Sequence, residues 1–283
     1  PLLRATCLEE SYAEACQGRE PLPEVAWFIT FSSDQVESIR ECLAMARENA
    51  RTVRDQISEE MWLELNSFHL FLQSQRAERL WRAQPEVFYR QVINFCLLFS
   101  GLINATILHD EGWHFIQAGK FLERADKTTR ILDMLAFHRS LDRARLASAL
   151  RSCSGFSAFQ TEFRGEFNLE NVVGFLLFSQ SFPRSLRFCL RQVDTHLHAI
   201  SGTTAGGYYN EAERLTGSLL ARLNYSGVDT VWTTGHHAYL DELQGQLNEI
   251  GQQLFETYVL LPLEIRSLAS QGGASWQQQQ QQQ

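Results

Sequence analysis

Apolar residues recur at three- and four-residue spacing along most of the chain, which is the periodicity of an amphipathic α-helix. Runs of this kind occupy residues 36–56, 61–83, 85–108, 112–133, 169–178, 183–200, 210–223 and 229–261. The pattern is less regular between residues 140 and 165, and no stretch alternates as a half-buried strand does. The sequence therefore predicts an all-α fold, a helical bundle of long antiparallel helices.

The helix predicted at 112–133 carries charges on two different faces. Its apolar stripe is formed by Ala118, Leu122, Ala125, Thr129 and Leu132. Glu123 and Lys127 form an i,i+4 pair on the opposite face, and Asp126 and Arg130 form a second, so both pairs are expected to be solvent-exposed. Arg124 lies instead at the edge of the apolar arc. Because a buried charge needs a partner, we favour a bond from Arg124 to a carboxylate of another helix over a head group that extends into water.

An internal repeat predicts that the chain is built from two related halves. Residues 28–43 align without gaps on residues 175–190. Identical residues fall at Phe28/Phe175, Phe31/Phe178, Ser32/Ser179, Ser38/Ser185, Arg40/Arg187, Cys42/Cys189 and Leu43/Leu190. We expect one helical domain at 1–268 and a flexible low-complexity tail at 269–283. Duplication and packing are the favoured explanation of the repeat; the alternative is that Arg40 and Arg187 line a site shared between the halves.

Composition and charge limit the functional classes. The chain has 283 residues, 44% hydrophobic and 20% charged, which is enough to bury a large core. A net charge of −8 argues against a general nucleic-acid binder, which needs a basic surface. We expect no signal peptide, and no apolar run looks long enough to cross a bilayer. The six cysteines lack C-x-x-C spacing, which favours a reduced, cytoplasmic protein.

No complete catalytic or cofactor motif is visible. His109 and His114 suggest a metal site, but they are five residues apart with Gly112 between them, whereas zinc-protease histidines are one helical turn apart. We interpret this segment as a turn whose acidic residues cap the next helix and whose Trp113 packs. The loop at 201–207 lacks the Lys-Ser/Thr of a phosphate-binding P-loop. We therefore expect no metal and no cofactor within this chain.

Several segments together resemble the Alpha-E family, an all-helical bacterial domain named for its Glu-Arg motif. The matching segments are 38–40, 46–51, 57–62, 112–115, 122–127, 182–185 and 198–203. The resemblance covers about residues 28–262 and places the family motif at Glu123-Arg124. Family members open with a further helix that carries its own Glu-Arg pair, and nothing before Cys7 matches it. The absence of that helix would follow if the chain were cut from a longer polypeptide.

The resemblance implies a companion of circularly permuted ATP-grasp enzymes, in trans or fused. Such a helical partner of a carboxylate–amine ligase, which makes or modifies peptides, would hold substrate or partner rather than activate ATP. ATP and Mg are then expected on the ATP-grasp domain, with a peptide as a further partner.

The same resemblance and the polar clusters supply the candidate site residues. Arg40, Arg187 and Arg124 are candidates for binding a substrate or anion. Glu123, Arg124 and His114 are candidates for catalysis, which a stand-alone enzyme with an Arg/Glu/His pocket between the halves would require. That enzyme is the alternative function, together with a plain scaffold or homo-oligomerisation module. No nucleic acid and no membrane is expected as a partner.

Overall fold

The computed structural model describes residues 3, 6, 8–17, 24–33, 37–136, 142–164, 166–204 and 206–262. Within these residues it has fourteen α-helices, one short π-helix and no strand, which confirms the all-α fold. The tail predicted at 269–283 lies outside the described residues. The chain divides into two compact units, one up to Trp113 and one from His114.

The described part of the first unit consists of six α-helices. Its helices are α1 (Glu9–Cys16), α2 (Val25–Phe31), α3 (Ile39–Thr52), α4 (Glu59–Gln73), α5 (Gln75–Ala83) and α6 (Pro85–Thr106). Ser58 caps the start of α4, where its hydroxyl accepts a hydrogen bond from the backbone N–H of Met61. Phe68 of α4 stacks on Phe95 of α6, with 4.2 Å between ring centroids. Aromatic rings therefore make up much of this core.

The second unit contains the helix with the Glu123-Arg124 pair. Its helices are α7 (Glu111–Ala136), which begins at the boundary between the units, α8 (Arg143–Ser152), α9 (Phe156–Phe163), α10 (Leu169–Phe178), α11 (Leu186–Ser201), α12 (Glu211–Tyr225), α13 (Val228–Thr234) and α14 (His236–Phe255), followed by the π-helix Glu256–Leu260. Leu132 of α7, Phe175 of α10 and Leu190 of α11 belong to one buried core. Helix α7 is therefore a core element of this unit.

Two of the predicted helices are each broken in two. The run at 61–83 breaks at Ser74, whose backbone is extended with φ −84° and ψ 148°. The run at 229–261 breaks at Gly235, whose φ of +95° is a conformation that favours glycine. The segment expected to be irregular, 140–165, contains α8 and α9. A continuous apolar pattern therefore does not reveal a local turn that divides one predicted helix into two.

Helix α6 corrects one expectation from the sequence. By length and composition alone it could cross a bilayer, so the prediction that no apolar run is long enough is wrong. Phe88, Phe95 and Ile103 of this helix are buried within the first unit. Only 17% of its most apolar window is buried, and one helix of this kind is weak evidence for a membrane span.

The two copies of the repeat share one local structure outside residues 34–36, which are not described. Ser38 Oγ donates to the backbone carbonyl of Ser32 at 2.7 Å. Ser185 Oγ donates to the backbone carbonyl of Ser179 at 2.5 Å. Each of the two donor serines is also the N-cap of the helix that follows, α3 or α11. The same turn, closed by a hydrogen bond from a serine hydroxyl to a backbone carbonyl six residues earlier, therefore occurs once in each unit.

Candidate functional site

Helix α7 contacts α11 along a row of polar and aromatic side chains, which we call the seam. At one end His114 Nδ1 lies 2.9 Å from His196 Nδ1. At the other end Thr128 Oγ1 donates to the backbone carbonyl of Arg184 at 2.9 Å. The ring of Phe121 lies between them and stacks on His196, with 6.2 Å between centroids. The α7 members of the seam are seven residues apart, two helical turns, and therefore share one face.

Arg124 lies on the seam and contacts a carbonyl. Its Nη1 donates to the backbone carbonyl of Pro183 at 3.2 Å, and its guanidinium lies 5.3 Å from the centre of the Phe121 ring. Burial lowers the pKa of this guanidinium. Among the described residues no carboxylate pairs with Arg124, so the predicted bond to a carboxylate is wrong. A bond to another segment does exist, but its acceptor is neutral and leaves the positive charge uncompensated.

Two more cations lie near Arg124, and we call Lys120, Arg124 and Arg184 the cation cluster. All three act electrostatically on the thiol of Cys189. The Sγ of Cys189 lies 3.6 Å from the Pro183 carbonyl, the same oxygen that Arg124 binds. Within the described part of the chain neither Lys120 nor Arg184 forms an ion pair. Cations this close repel one another, and a bound anion would offset that repulsion.

Burial shifts the proton affinities of the groups in and around the cluster. Burial, and after it the charge of Arg124, lowers the pKa of Lys120 to about 8. Burial raises the pKa of the Cys189 thiol to about 12, although the three cations act in the opposite direction. Burial also raises the pKa of the Cys153 thiol to about 11. Both thiols are therefore protonated near neutral pH, and the amine of Lys120 titrates closer to neutrality than either.

A cavity of about 190 Å³ opens beside Arg124. It is lined by Glu123, Arg124, Lys127, Thr128, Ile131, Ser152, Cys153 and Arg184. Glu123 and Lys127 form the exposed ion pair that the sequence predicts, with 3.7 Å between Oε2 and Nζ and with 73% and 53% of the side chains exposed. Guanidinium groups match the paired oxygens of carboxylates and phosphates. The cavity is smaller than typical ligand pockets and suits one small anionic group.

The second ion pair of α7 is not on the surface. Arg130 Nε donates to Asp126 Oδ2 at 2.7 Å, and the two side chains are only 16% and 13% exposed. The other oxygen of Asp126, Oδ1, is buried and has no hydrogen-bond partner among the described residues. The prediction of an exposed pair is wrong because α14 packs on this side of α7, where Asp133 Oδ1 lies 2.7 Å from Nδ1 of His237.

The candidate His114 belongs to the seam but not to the cavity. Its partner His196 is only 6% exposed, and burial together with His114 and Lys120 lowers the pKa of His196 to about 4. The cavity beside Arg124 is lined by Glu123 but not by His114. Two of the three predicted catalytic residues therefore lie together, and the third lies at the opposite end of the seam. A catalytic role for any of them stays a prediction.

The repeated arginines each bind a partner within their own unit. Arg40 Nη2 donates to Glu78 Oε1 at 2.9 Å, which balances its charge. Arg187 Nε donates to Asn224 Oδ1 at 2.7 Å on α12. Arg187 does not line the cavity beside Arg124. Of the three predicted anion-binding residues, Arg124 is the one placed in the cation cluster, and a site shared by Arg40 and Arg187 stays a prediction.

The histidine segments that suggested metal sites are explained by local contacts. His109 stacks on Trp113 at 4.0 Å, and the backbone N–H of Trp113 contacts Asp110 Oδ1 at 3.4 Å, which confirms the turn predicted at the start of α7. His196 and His198 lie two residues apart on α11 and point in different directions, the first into the seam. No group of three or more His, Cys, Asp or Glu side chains within the described ranges could hold a metal ion.

A larger cavity, about 520 Å³, lies beside His198. His198 Nδ1 faces the backbone carbonyl of Asp194 at 2.8 Å, and its Nε2 faces that of Gly207 at 3.0 Å. Burial lowers the pKa of His198, but the two carbonyl acceptors together with the carboxylates of Asp194 and Glu213 outweigh it, and the pKa is raised. Because both ring nitrogens face acceptors, this histidine is well suited to hold Gly207 against α11 in its protonated form. We assign it a structural role.

Sequence reasoning missed Lys120, Arg184 and Cys189 as site residues. Lys120 precedes Arg124 by one helical turn, so the i,i+4 rule could have identified it as a neighbour. Arg184 stands in one of the segments that carry the family resemblance, 182–185, but no spacing rule places it beside α7. Only the packing of α11 on α7 brings these groups together.

The position of Arg124 differs from that of the other arginines in Glu-Arg pairs. The sequence has such pairs at Glu78-Arg79, Glu123-Arg124 and Glu213-Arg214. Arg79 and Arg214 are exposed, and Arg214 forms an ion pair with Glu211. Arg124 is half-buried in the seam. The pair on α7 is therefore the one whose arginine is half-buried.

Comparison with known proteins agrees with the sequence segments described above. Curated relatives include uncharacterized proteins of Mycobacterium bovis and of two strains of Mycobacterium tuberculosis, which are 24–25% identical to the chain over 254 residues. The alignments cover 85% of the chain and 28% of each relative, so the chain spans less than a third of their length. No solved structure matches the chain. The family model of Alpha-E, a predicted alpha-helical domain with a conserved ER motif, matches residues 1–259, and the chain belongs to this family.

Proposed function

We propose that this Alpha-E domain holds a carboxylate- or phosphate-bearing substrate for a carboxylate–amine ligase whose ATP-grasp domain binds ATP and Mg. The observation that supports the proposal is the cation cluster, in which Lys120, Arg124 and Arg184 have no acidic partner among the described residues. Desolvated cations that repel one another cost stability. An anion bound between them compensates that cost.

The chemistry of such a ligase requires an anion site of this kind. ATP-dependent amide formation converts a carboxylate into an acyl phosphate, and an amine then displaces the phosphate. Both the carboxylate and the acyl phosphate are anions that guanidinium groups recognise. In this proposal Arg124 and Arg184 bind the anionic group in the cavity. The ATP-grasp partner itself is an inference from the family resemblance.

The size of the relatives is compatible with a fused partner. They extend well beyond the region that matches this chain, which leaves room for a second domain in the same polypeptide. A partner in trans is equally possible for the chain as given. A cytoplasmic location, where ATP is available, is part of the proposal, and Cys16, Cys153 and Cys189 are free thiols.

Reconstitution with the circularly permuted ATP-grasp protein of the same organism tests the function. We expect the two proteins to co-purify, and we expect ATP-dependent amide formation to need both. Arg184→Gln should reduce product formation, whereas Arg82→Gln, which removes an equal charge from an exposed position on α5, should not. Ligation that proceeds at the same rate without this chain would contradict the proposal.

A further inference from the structure

The cavity of about 520 Å³ beside His198 is separate from the one beside Arg124. Asp194 and His198 line it from α11, Glu213 and Gly217 line it from α12, and the loop before α12 contributes glycine backbone. Its volume is within the range of cavities that hold small molecules. None of its lining residues lines the cavity beside Arg124. The two cavities can therefore bind different ligands.

The carboxylate of Asp194 has acceptor capacity to spare. Its Oδ1 lies 3.6 Å from Nδ1 of His198, but that nitrogen faces the backbone carbonyl of Asp194 at the shorter distance of 2.8 Å. Within the described ranges no N–H or O–H group donates a hydrogen bond to this carboxylate. The side chain is 27% exposed and lines the cavity. Because a carboxylate accepts several hydrogen bonds, Asp194 is able to bind a donor that enters the cavity.

The charges that line this cavity sum to a negative value. Glu213 is a second carboxylate, 1% exposed, and both of its oxygens accept hydrogen bonds from neutral N–H donors. Protonated His198 compensates only one of the two carboxylates. Arg214 also lines the cavity, but its Nε donates to Glu211 Oε2 at 2.7 Å, so this cation is already paired. One negative charge is left that a bound cation would offset.

The proton affinity of Asp194 agrees with this count of charges. Burial raises the pKa of its carboxyl, His198 lowers it, and Glu213 raises it again, so that the net shift is upward. A cation bound at the carboxylate would favour its ionised form. The empty cavity is therefore less favourable for the ionised carboxylate than an occupied one.

A glycine leaves the space beside this carboxylate open. A Cβ added at Gly217 would lie 3.7 Å from Asp194 Oδ1 and, apart from its own helix, would meet no other atom of the described residues within 4 Å. Tyr208 and Tyr225 also line the cavity and are 62% and 93% exposed. Aromatic rings attract cations and pack against alkyl chains. The cavity therefore combines a carboxylate, free space beside it and aromatic surface.

We propose that this cavity binds the primary ammonium group of a small amine. The ammonium group donates hydrogen bonds to the carboxylate of Asp194 in the space beside Gly217, and its carbon chain lies against Tyr208 and Tyr225. The inference goes beyond the proposed function, because it concerns another site and a ligand of opposite charge. In a carboxylate–amine ligation this cavity would hold the amine component.

The probe for this site is n-pentylammonium at pH 7 and low ionic strength. Binding is followed by the amide chemical shifts of the isotope-labelled chain in two-dimensional NMR spectra. We expect saturable changes at Gly207 and Gly217. The neutral alcohol of the same length, n-pentanol, should bind at least about tenfold more weakly, which is the loss expected for a hydrogen bond to a charged group. Absence of saturable changes at these glycines, or equal affinity for the two probes, would overturn the inference.

Two aspartate variants separate this carboxylate from the negative charge of the whole chain. Asp194→Asn should bind n-pentylammonium at least about tenfold more weakly. Asp241→Asn removes an equal charge from an exposed position on α14 and should bind it as wild type does. Equal affinities in the two variants would show that the amine responds only to net charge, which would overturn the inference.

A glycine variant tests the cavity without any change of charge. Gly217→Leu places a side chain in the space beside Asp194, and leucine favours a helix more than glycine does, so the variant should fold and bind at least about tenfold more weakly. Gly245→Leu on α14 is the matched control, because that glycine is helical, exposed and outside the cavity. Wild-type affinity in Gly217→Leu would overturn the inference, even where Asp194→Asn fails to fold. Phosphate binding at the cation cluster is measured separately, so failure here leaves the proposed function standing.

Discussion

At the scale of single residues, the repeated serines do more for the fold than the repeated arginines. The hydroxyl of Ser185 accepts a hydrogen bond from the backbone N–H of Phe188 and donates one to the backbone carbonyl of Ser179. One hydroxyl therefore both caps α11 and fixes the end of α10. Ser38 does the same between α2 and α3 with Glu41 and Ser32 as partners. Both serines are fully buried. Identity at these positions is therefore explained by structure.

Replacing Ser185 by alanine tests this assignment. Ser185→Ala removes the cap and leaves a buried carbonyl without its side-chain partner, which should lower the free energy of unfolding by about 2 kcal/mol. Ser38→Ala should cost a similar amount. Urea denaturation measures both, with Ser218→Ala as control because Ser218 is exposed and bonds only to the carbonyl one turn before it. Losses no larger than that of the control would show that the turns are held by packing alone.

At the scale of elements, the contact between α7 and α11 links the histidines to the cation cluster. His196 is stacked on Phe121 and bonded to His114, and its neutral form is the one that this environment accepts. Its pKa of about 4 in the folded chain is below the ordinary value of 6.5. As the pH falls, His196 is therefore protonated in the unfolded chain before it is protonated in the folded chain. Acid should for this reason weaken the contact between α7 and α11.

The pH dependence of stability tests the seam directly. His196 contributes fully above pH 6.5, and its contribution should be lost as the pH falls towards 4. The difference between wild type and His196→Gln should shrink by about 3 kcal/mol across that window, given 1.36 kcal/mol for each pKa unit. Denaturant titrations from pH 7 to pH 4 measure it. Parallel curves for the two proteins would mean that His196 is accessible to protons in the folded chain.

The break between α13 and α14 depends on one glycine. Gly235 has φ +95°, where a side chain is strained, so Gly235→Ala should lower the free energy of unfolding by about 1–3 kcal/mol. Gly245 is the matched control on α14: it is helical and exposed, and an added Cβ would meet no atom within 4 Å. Gly245→Ala should instead stabilise by about 0.5–1 kcal/mol. Thermal melting of both variants measures these changes. A change of the melting temperature in the same direction for both variants would contradict the turn assigned to Gly235.

Comparison of the predicted helices with those of the structure shows which elements can be predicted from the sequence. The run predicted at 169–178 coincides with α10, whereas α11 begins at Leu186 and not at the predicted Pro183. No sequence signal marks the break at Ser74, where the side-chain hydroxyl donates to the backbone carbonyl of Phe71. Arg124 is placed correctly at the edge of a buried face, but its acceptor is a backbone carbonyl of another segment. A contact with a backbone carbonyl of a distant segment depends on the tertiary structure and cannot be predicted from the spacing of residues along the helix.

At the scale of the whole molecule, a net charge of −8 conceals a local excess of positive charge. The total charge says nothing about the binding of small anions, because a few cations in a shaped cavity decide that property. The cluster combines Lys120 and Arg124 from α7 with Arg184 from the turn before α11. It is therefore a product of tertiary structure and is the feature on which the proposed function depends.

The most direct test of that function is calorimetric titration of inorganic phosphate into wild type, Arg184→Gln and Arg82→Gln at low ionic strength. Wild type and Arg82→Gln should show the same saturable binding. Arg184→Gln should bind at least about tenfold more weakly, which is the loss expected for one charge-assisted hydrogen bond. Absence of saturable binding to wild type, or equal affinity in Arg184→Gln and Arg82→Gln, would contradict an anion site at the cation cluster.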